Sequence, residues 1–125
     1  MRRLSLYLRD IPTSIDKINR FVEGSSFDSF STNEILVNAV VRELEIIGEA
    51  ANRVKVVHVK YPEIPWRDMV SLRNFLIHEY ANVDAKIVWD TIQVHLPKLK
   101  PLILKAIEQE EDFTARILPR IKRAF

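Results

Sequence analysis

The sequence predicts an all-α protein, an up-and-down helical bundle of four to five helices. Apolar residues recur at alternating steps of three and four along most of the chain, which is the period of an amphipathic helix. Only two glycines occur and no Asn-Gly pair is present, so β-hairpin turns are not indicated. The connections between the periodic segments are short, which favours antiparallel neighbours. With 125 residues, we expect one domain over residues 1–110, and residues 111–125 form its basic C-terminal extension.

The first helix is predicted from an apolar stripe that runs from Leu4 to Val22 and ends near Gly24. Pro12 interrupts this stripe, so either a kink or a later helix start is expected. Residues 25–30 are expected to form a loop.

The second helix is predicted to begin with a capping box, because Ser31 and Glu34 have the spacing at which each side chain satisfies a backbone donor of the other. Its apolar stripe starts at Val37 and extends towards Val59. Small residues in its second half let a neighbouring helix approach closely, and they are Gly48, Ala50 and Ala51.

The remaining helices are placed by their start and stop signals. Pro65 is suited to the first turn of a third helix that carries residues 66–80. Asp84 is a good N-cap for the fourth helix. Pro97 and Pro101 are expected to divide the segment that follows.

The composition excludes several classes of site. The chain has no cysteine, so disulfides, thiol nucleophiles and cysteine-bound metals are ruled out. His58 and His95 lack metal-ligand spacing to each other or to His78, and no Gly-rich phosphate loop is present, so we expect no metal and no bound cofactor. No segment has the length and apolarity of a membrane span, and a cytoplasmic protein is expected.

Charge is distributed unevenly near the C-terminus, although the net charge is only +2. Arg116, Arg120, Lys122 and Arg123 follow an acidic run within residues 108–112. A solvated helix with a frayed tail is the simpler interpretation, and it is favoured here over an RNA-binding arm.

A helical wheel of the third predicted helix separates two faces, at about 100° per residue. Four apolar residues share the arc that is expected to be buried: Met69, Leu72, Phe75 and Leu76. Arg73, Asn74, His78 and Tyr80 fall on the opposite, polar arc. Arg73 and Tyr80 are nearly aligned, and Asn74 and His78 are four residues apart and can touch.

The polar arc suits metal-free cleavage of RNA. Arg73 offers a permanently charged fork for phosphate oxygens, and His78 can exchange a proton near neutral pH. Asn74 would orient His78 or hold a phosphate oxygen. Spacing alone leaves open the alternative that these side chains are an ordinary solvated helix face.

Four sequence elements resemble the HepT toxins of the HEPN superfamily. Arg73–Tyr80 resembles the R-x-x-x-x-H-x-Y signature, and Ile47–Ala50 resembles the G-E-A element of the second helix. Ile64–Trp66 resembles the I-P-W at the start of the motif helix, and Val83–Trp89 resembles the segment after it. The elements stay in order over about residues 4–107, whereas the basic extension has no counterpart.

The resemblance implies a homodimer in which the two motif helices line a shared cleft. It also implies a toxin that acts as a metal-independent endoribonuclease on RNA, with Arg73 and His78 as catalytic residues. An MntA-like nucleotidyltransferase antitoxin would silence it by transferring AMP onto Tyr80. Glu49 is a candidate to face the cleft, and a solvated position is its alternative.

Two other functions are compatible with the sequence. The chain would be a non-catalytic HEPN partner subunit that binds a nucleotidyltransferase, or a helical interaction domain without a nucleic-acid role. Arg73, His78 and Tyr80 favour the enzyme, because a binding module does not need a histidine at that position.

Overall fold

The computed structural model describes residues 3–78 and 83–124, and within them it contains helices and no strand. The predicted all-α class is therefore confirmed. The α-helices are α1 (Leu4–Phe21), α2 (Phe27–Ser31), α3 (Glu34–Arg53), α4 (Trp66–His78), α5 (Ala85–Asp90), α6 (Leu96–Asp112) and α7 (Leu118–Ala124). A 3₁₀ helix covers Lys55–Lys60, and π-helical turns cover Thr91–His95 and Phe113–Ile117.

Helix α3 lies at the centre of the bundle, because it packs against both α1 and α4, while α1 also packs against α6. Its apolar stripe is almost fully buried, as expected for a helix with neighbours on two sides. The buried residues of this stripe include Val40, Leu44, Ile47, Ala51 and Val54. The stripe of α1 is buried in the same core through Leu8, Ile11, Ile15 and Ile18.

The region between α1 and α3 differs from the sequence prediction. Helix α1 runs through Pro12 from Leu4, so a later start is wrong. The expected loop contains a short helix instead, because the rings of Phe27 and Phe30 both pack on Trp89, with centroids 6.2 Å and 5.2 Å away.

The predicted capping box at Ser31 and Glu34 is also wrong. Asn33 caps α3, where its side-chain oxygen accepts a hydrogen bond from the backbone N–H of Leu36 at 3.1 Å. A reciprocal capping box does occur, but Ser26 and Ser29 form it at the start of α2. Serine and asparagine both favour N-cap positions, and Asn33, two residues after Ser31, takes the role at α3.

The end of α3 positions the start of α4. Helix α3 stops at Arg53 rather than continuing towards Val59, whose side chain is 86% exposed. The 3₁₀ helix then places His58 flat against Trp66, with ring centroids 4.5 Å apart and planes at 8°. The indole N–H of Trp66 donates to the backbone carbonyl of Tyr61 at 3.0 Å. Together these contacts fix the first turn of α4 against the bundle.

The two prolines of the last long helix do not divide it. Pro97 and Pro101 both lie inside α6, which runs unbroken to Asp112. In a regular helix the ring of Pro97 would clash with the carbonyl of the residue four positions earlier. That residue lies in the π-helical turn, which directly precedes Leu96. Asp84 caps α5 as predicted, since its side chain accepts from the backbone N–H of Lys86 at 2.9 Å.

Candidate active site

Helices α3 and α4 are in close contact at Gly48, where the backbone of α3 lies against the Arg73 side chain of α4. A Cβ atom built on Gly48 would lie 2.1 Å from the Cβ of Arg73 and 2.8 Å from the carbonyl oxygen of Met69. Both distances are far shorter than any contact that carbon atoms tolerate, so only glycine fits at this crossing. The close approach that the small residues of α3 predicted is confirmed, and it fixes the position of Arg73 relative to α3.

The Arg73 side chain lies between the helices rather than on the outward face that the wheel predicted. Its side chain is 30% exposed, and its Nη2 lies 3.0 Å from Oε2 of Glu49 on α3. Its Nη1 donates a hydrogen bond to Oδ1 of Asn74 at 2.8 Å. The guanidinium is therefore held by a carboxylate on one side and an amide on the other.

Glu49 connects two arginines. Its Oε1 accepts a hydrogen bond from Nε of Arg53 at 2.8 Å, and this bond, with the charge of Glu49, raises the pKa of Arg53. Its Oε2 is buried and accepts no hydrogen bond from the described residues, so the 3.0 Å contact with Arg73 is an ion pair without hydrogen-bond geometry. Arg73 is thus attracted by Glu49 without being locked to it.

His78 occupies the last turn of α4 and is exposed. Within residues 3–78 and 83–124 its side chain makes no hydrogen bond, so none joins it to Asn74, whose amide oxygen accepts from Arg73. The wheel was also wrong about Phe75, which is 42% exposed, whereas Leu76 and Met69 are buried as expected. The helix brings Arg73 and His78 to the same end of α4 but not into contact.

A polar cavity of about 390 Å³ opens beside Arg73. Helices α1, α3 and α4 line it through Tyr7, Asp10, Arg42, Glu45, Ile46, Glu49, Ala50, Arg73 and Ile77. Its volume lies in the range of about 300–1,000 Å³ that is usual for small-molecule sites. Three carboxylates and two guanidiniums line the cavity, so charged parts of a ligand of either sign find a counter-charge there.

Tyr80, the expected site of modification, lies outside the described residues. Within the described part of the chain, no group of three or more histidine and acidic side chains is arranged to hold a metal ion. None of the helices described is both long enough and apolar enough to cross a membrane.

Glu49 is the residue of the candidate site whose partner, Arg73, the sequence did not reveal. The wheel of α4 alone says nothing about a partner on another helix, and Glu49 looked like any polar residue on the exposed side of α3. The available signal was the G-E-A element at Gly48, Glu49 and Ala50. Its glycine admits Arg73, and its glutamate pairs with Arg73.

Comparison with known proteins places these elements in a family. The HepT-like ribonuclease family matches residues 11–106. A "Putative RNase" of Methanocaldococcus jannaschii is 35% identical over 112 residues, which cover 89% of this chain and 97% of that protein. The "Probable ribonuclease HepT" of Thermococcus cleftensis is 41% identical over 98 residues, which cover 75% of this chain and 86% of that protein.

A third relative is longer. The "Gamma-glutamylcyclotransferase and putative RNase" of Methanocaldococcus jannaschii is 36% identical over 107 residues, and this chain spans 48% of its length. No solved structure matches the chain significantly. The matched residues contain the crossing at Gly48, the Glu49–Arg73 ion pair and the whole of α4, and the resemblance seen in the sequence is confirmed: this chain belongs to the HepT-like ribonuclease family.

Proposed function

We propose that the protein is a metal-independent endoribonuclease whose catalytic residues are Arg73 and His78, assisted by Asn74. The family and the names of its relatives support RNA as the substrate. The observation that carries the proposal is the setting of Arg73, which is fixed at the rim of a polar cavity by Gly48 and held there only loosely by Glu49. A phosphate with two oxygens in fork geometry displaces the Glu49 Oε2 oxygen, which makes no hydrogen bond to the guanidinium.

In the proposed reaction, the ribose 2′-oxygen attacks the neighbouring phosphorus. Either His78 takes the proton of the 2′-hydroxyl and water protonates the departing 5′-oxygen, or His78 protonates the 5′-oxygen and water takes the 2′ proton, as the new O–P bond forms and the O5′–P bond breaks. Arg73 stabilises the additional negative charge on the phosphate oxygens in the transition state. The products are a 2′,3′-cyclic phosphate and a 5′-hydroxyl end. Asn74 keeps the guanidinium oriented through the 2.8 Å hydrogen bond.

The test is cleavage of RNA by purified protein in excess EDTA. The wild type should cleave, and the Arg73→Ala and His78→Ala variants should not, while circular dichroism shows that both variants keep their helix content. Inhibition of the wild type by EDTA would reject the metal-free mechanism. Cleavage by His78→Ala at the wild-type rate would reject the role of His78.

The biological setting that we propose is a toxin of a toxin–antitoxin pair acting on RNA in the cytoplasm. We propose a homodimer in which two α4 helices line a shared cleft. This arrangement would supply the neighbours that His78 lacks among the described residues of one protomer. A nucleotidyltransferase of the MntA-like class would inactivate the toxin by transferring AMP from ATP to the hydroxyl of Tyr80. The added bulk and negative charge, two residues beyond His78, would exclude the substrate phosphate.

Mass spectrometry tests the modification. Incubation with the nucleotidyltransferase and ATP should add AMP to the peptide that contains Tyr80 and abolish RNA cleavage. The Tyr80→Phe variant should gain no mass and stay active. AMP on a different peptide, or inactivation of the Tyr80→Phe variant, would contradict this mode of control.

A further inference from the structure

The last helix of the protein extends beyond the bundle. Residues 96–124 are helical without a break, through α6, the π-helical turn at Phe113–Ile117 and α7. None of residues 113–124, here called the C-terminal arm, is buried. The match to the HepT-like family ends at residue 106, so the arm is an addition to the part that the family shares.

The arm carries only positive charge. Its basic residues are Arg116, Arg120, Lys122 and Arg123, and it contains no acidic residue. The three arginines are spaced by four and three residues, which places them within about 60° of one another around the helix. At about 1.5 Å per residue they form a row with steps of about 6 Å and 4.5 Å along the axis. Such a row presents successive guanidinium forks in one direction.

The acidic run before the arm is largely used to fasten the helix to the bundle. Oε2 of Glu110 accepts a hydrogen bond from the hydroxyl of Tyr61 at 2.6 Å, and Oε1 lies 3.3 Å from Nζ of Lys60. Glu111 forms an ion pair with Arg9 on α1. Glu110 and Glu111 are therefore paired with residues of the bundle.

One acidic side chain does reach the arm. Asp112 pairs with Arg116 at 3.0 Å, but the two side chains are 50% and 80% exposed. An exposed pair of this kind contributes about 0–1 kcal/mol, so a phosphate competes with it easily.

Apolar side chains lie next to the arginine row. Phe113, Ile117 and Ile121 are between 37% and 44% exposed and follow each other at one-turn intervals. The Phe113 ring lies beside Lys60, whose Nζ is 5.3 Å from its centroid. An aromatic ring beside a cation is a surface on which an unstacked base can lie.

The base of the arm and the cavity beside Arg73 lie at the same level of α1. Arg9 holds Glu111 at the base of the arm, and the neighbouring positions Tyr7 and Asp10 line the cavity. These residues fall within one helical turn of α1, about 5.4 Å along its axis, and Arg9 lies about 100–160° round the helix from the two cavity residues.

We propose that the C-terminal arm is a second RNA-binding surface, which holds the phosphate backbone of single-stranded RNA outside the catalytic cavity through Arg116, Arg120 and Arg123. This inference rests on the proposed ribonuclease function. RNA uses both features of the arm, because guanidinium forks bind phosphates in succession and the apolar row contacts bases. A membrane surface is the less favoured partner, since the arm offers only three large apolar side chains in this row and one of them already lies against Lys60.

The test compares two triple variants of the full chain. In the first, Arg116→Gln, Arg120→Gln and Arg123→Gln remove the row and keep good helix formers. In the matched control, Arg20→Gln, Arg67→Gln and Lys86→Gln remove the same charge from exposed positions on the bundle. The probe is a 2′-O-methyl RNA strand, which cannot be cleaved, and its affinity is measured as a function of salt concentration.

Loss of three phosphate contacts should reduce the slope of log affinity against log salt by about 2 and weaken binding at least about tenfold at low salt. The control triple should keep the wild-type slope. Cleavage of a dinucleotide, which is too short to reach the arm, should be unchanged in the arm variant, while cleavage of a long RNA should slow.

Equal slopes for the arm variant and the wild type would overturn the proposal. So would an arm variant that keeps its affinity for RNA but loses sedimentation with phosphatidylserine vesicles, because the arm would then be a membrane contact. The binding measurement needs no cleavage, so the two proposals can fail separately. A wild type that binds RNA through the arm but never cleaves it would contradict the proposed ribonuclease function and support the role of the arm.

Discussion

Arg73 and His78 belong to one motif on one helix, but the surroundings of their side chains differ. Arg73 is pressed against Gly48, paired with Glu49 and bonded to Asn74, and its side chain is 30% exposed. His78 is exposed in the last turn of α4 and has no hydrogen-bond partner among the described residues. The group proposed to bind phosphate is therefore positioned by the fold of one chain, whereas the group proposed to transfer a proton depends on what approaches it.

This contrast predicts that stability and activity separate at the two positions. Replacement of His78 by alanine should lower kcat/KM for RNA by about 10²–10⁴-fold, the usual contribution of a general acid or base, and leave the melting temperature unchanged. Arg73→Ala should lower both, because it leaves the half-buried Glu49 without its partner on α4. Thermal melts and cleavage assays on the same samples decide this, and a large loss of stability in His78→Ala would contradict the contrast.

The next effect in size is expected at the helix crossing. Gly48→Ala would put a methyl group 2.1 Å from the Cβ of Arg73, so α4 must move away from α3. Overpacking of this kind costs about 1–3 kcal/mol of unfolding free energy, and a displacement of about 1 Å at a catalytic group lowers the rate about 10²-fold.

Gly24→Ala is the matched control for that substitution. Gly24 has a φ of +77° and open space around it, so alanine there strains the backbone without touching α4. It should lose stability but keep its cleavage rate. A Gly48→Ala variant with the wild-type rate would show that the α3–α4 contact does not position Arg73.

A smaller effect is expected from Glu49, which attracts Arg73 without a hydrogen bond. Glu49→Gln keeps the shape and removes the charge, and it should lower kcat/KM by less than about tenfold, since a partly exposed ion pair contributes about 1 kcal/mol or less. Glu34→Gln is the control, because Glu34 is exposed on the same helix and does not line the cavity beside Arg73. Equal rates for both variants and the wild type would show that Glu49 does not position Arg73.

The smallest effect concerns the fastening of the arm, away from the catalytic residues. Burial, and then the hydrogen bond to Glu110, raise the pKa of Tyr61. Above pH about 10, the usual tyrosine pKa, the unfolded chain releases this proton and the folded chain keeps it, so the stability that Tyr61 contributes falls as pH rises. The stability difference between wild type and Tyr61→Phe, measured by urea denaturation, should shrink between neutral pH and pH about 11. A difference that stays constant would contradict the raised pKa.

The helices that bear the core were predictable, because their apolar stripes are long and regular. Helix α3 packs against α1 and α4, and its small residues indicated the close approach of a neighbouring helix. The errors came from contacts distant in sequence. Residues 27–31 fold as a helix because Trp89 lies across them, and neither partner reveals this alone.

The proposed catalytic pair was found in the sequence as residue types on one polar arc and through the resemblance of Arg73–Tyr80 to a family signature. The surroundings of Arg73 were not found, since the wheel of α4 placed Arg73 outward and gives no information on Glu49, which belongs to α3. The position of Arg73 depends on a missing side chain at Gly48, and the ion pair depends on a residue of another helix. Periodicity within one helix cannot report either fact.

The central claim is that Arg73 and His78 act on the same phosphodiester, and a double-mutant cycle tests it most directly. Single-turnover cleavage of one RNA in EDTA is measured for the wild type, Arg73→Ala, His78→Ala and the double variant. If the two groups act as a unit, the double variant should be about as slow as the slower single variant. Multiplication of the two single effects in the double variant would show that the two groups act independently, and would contradict the claim.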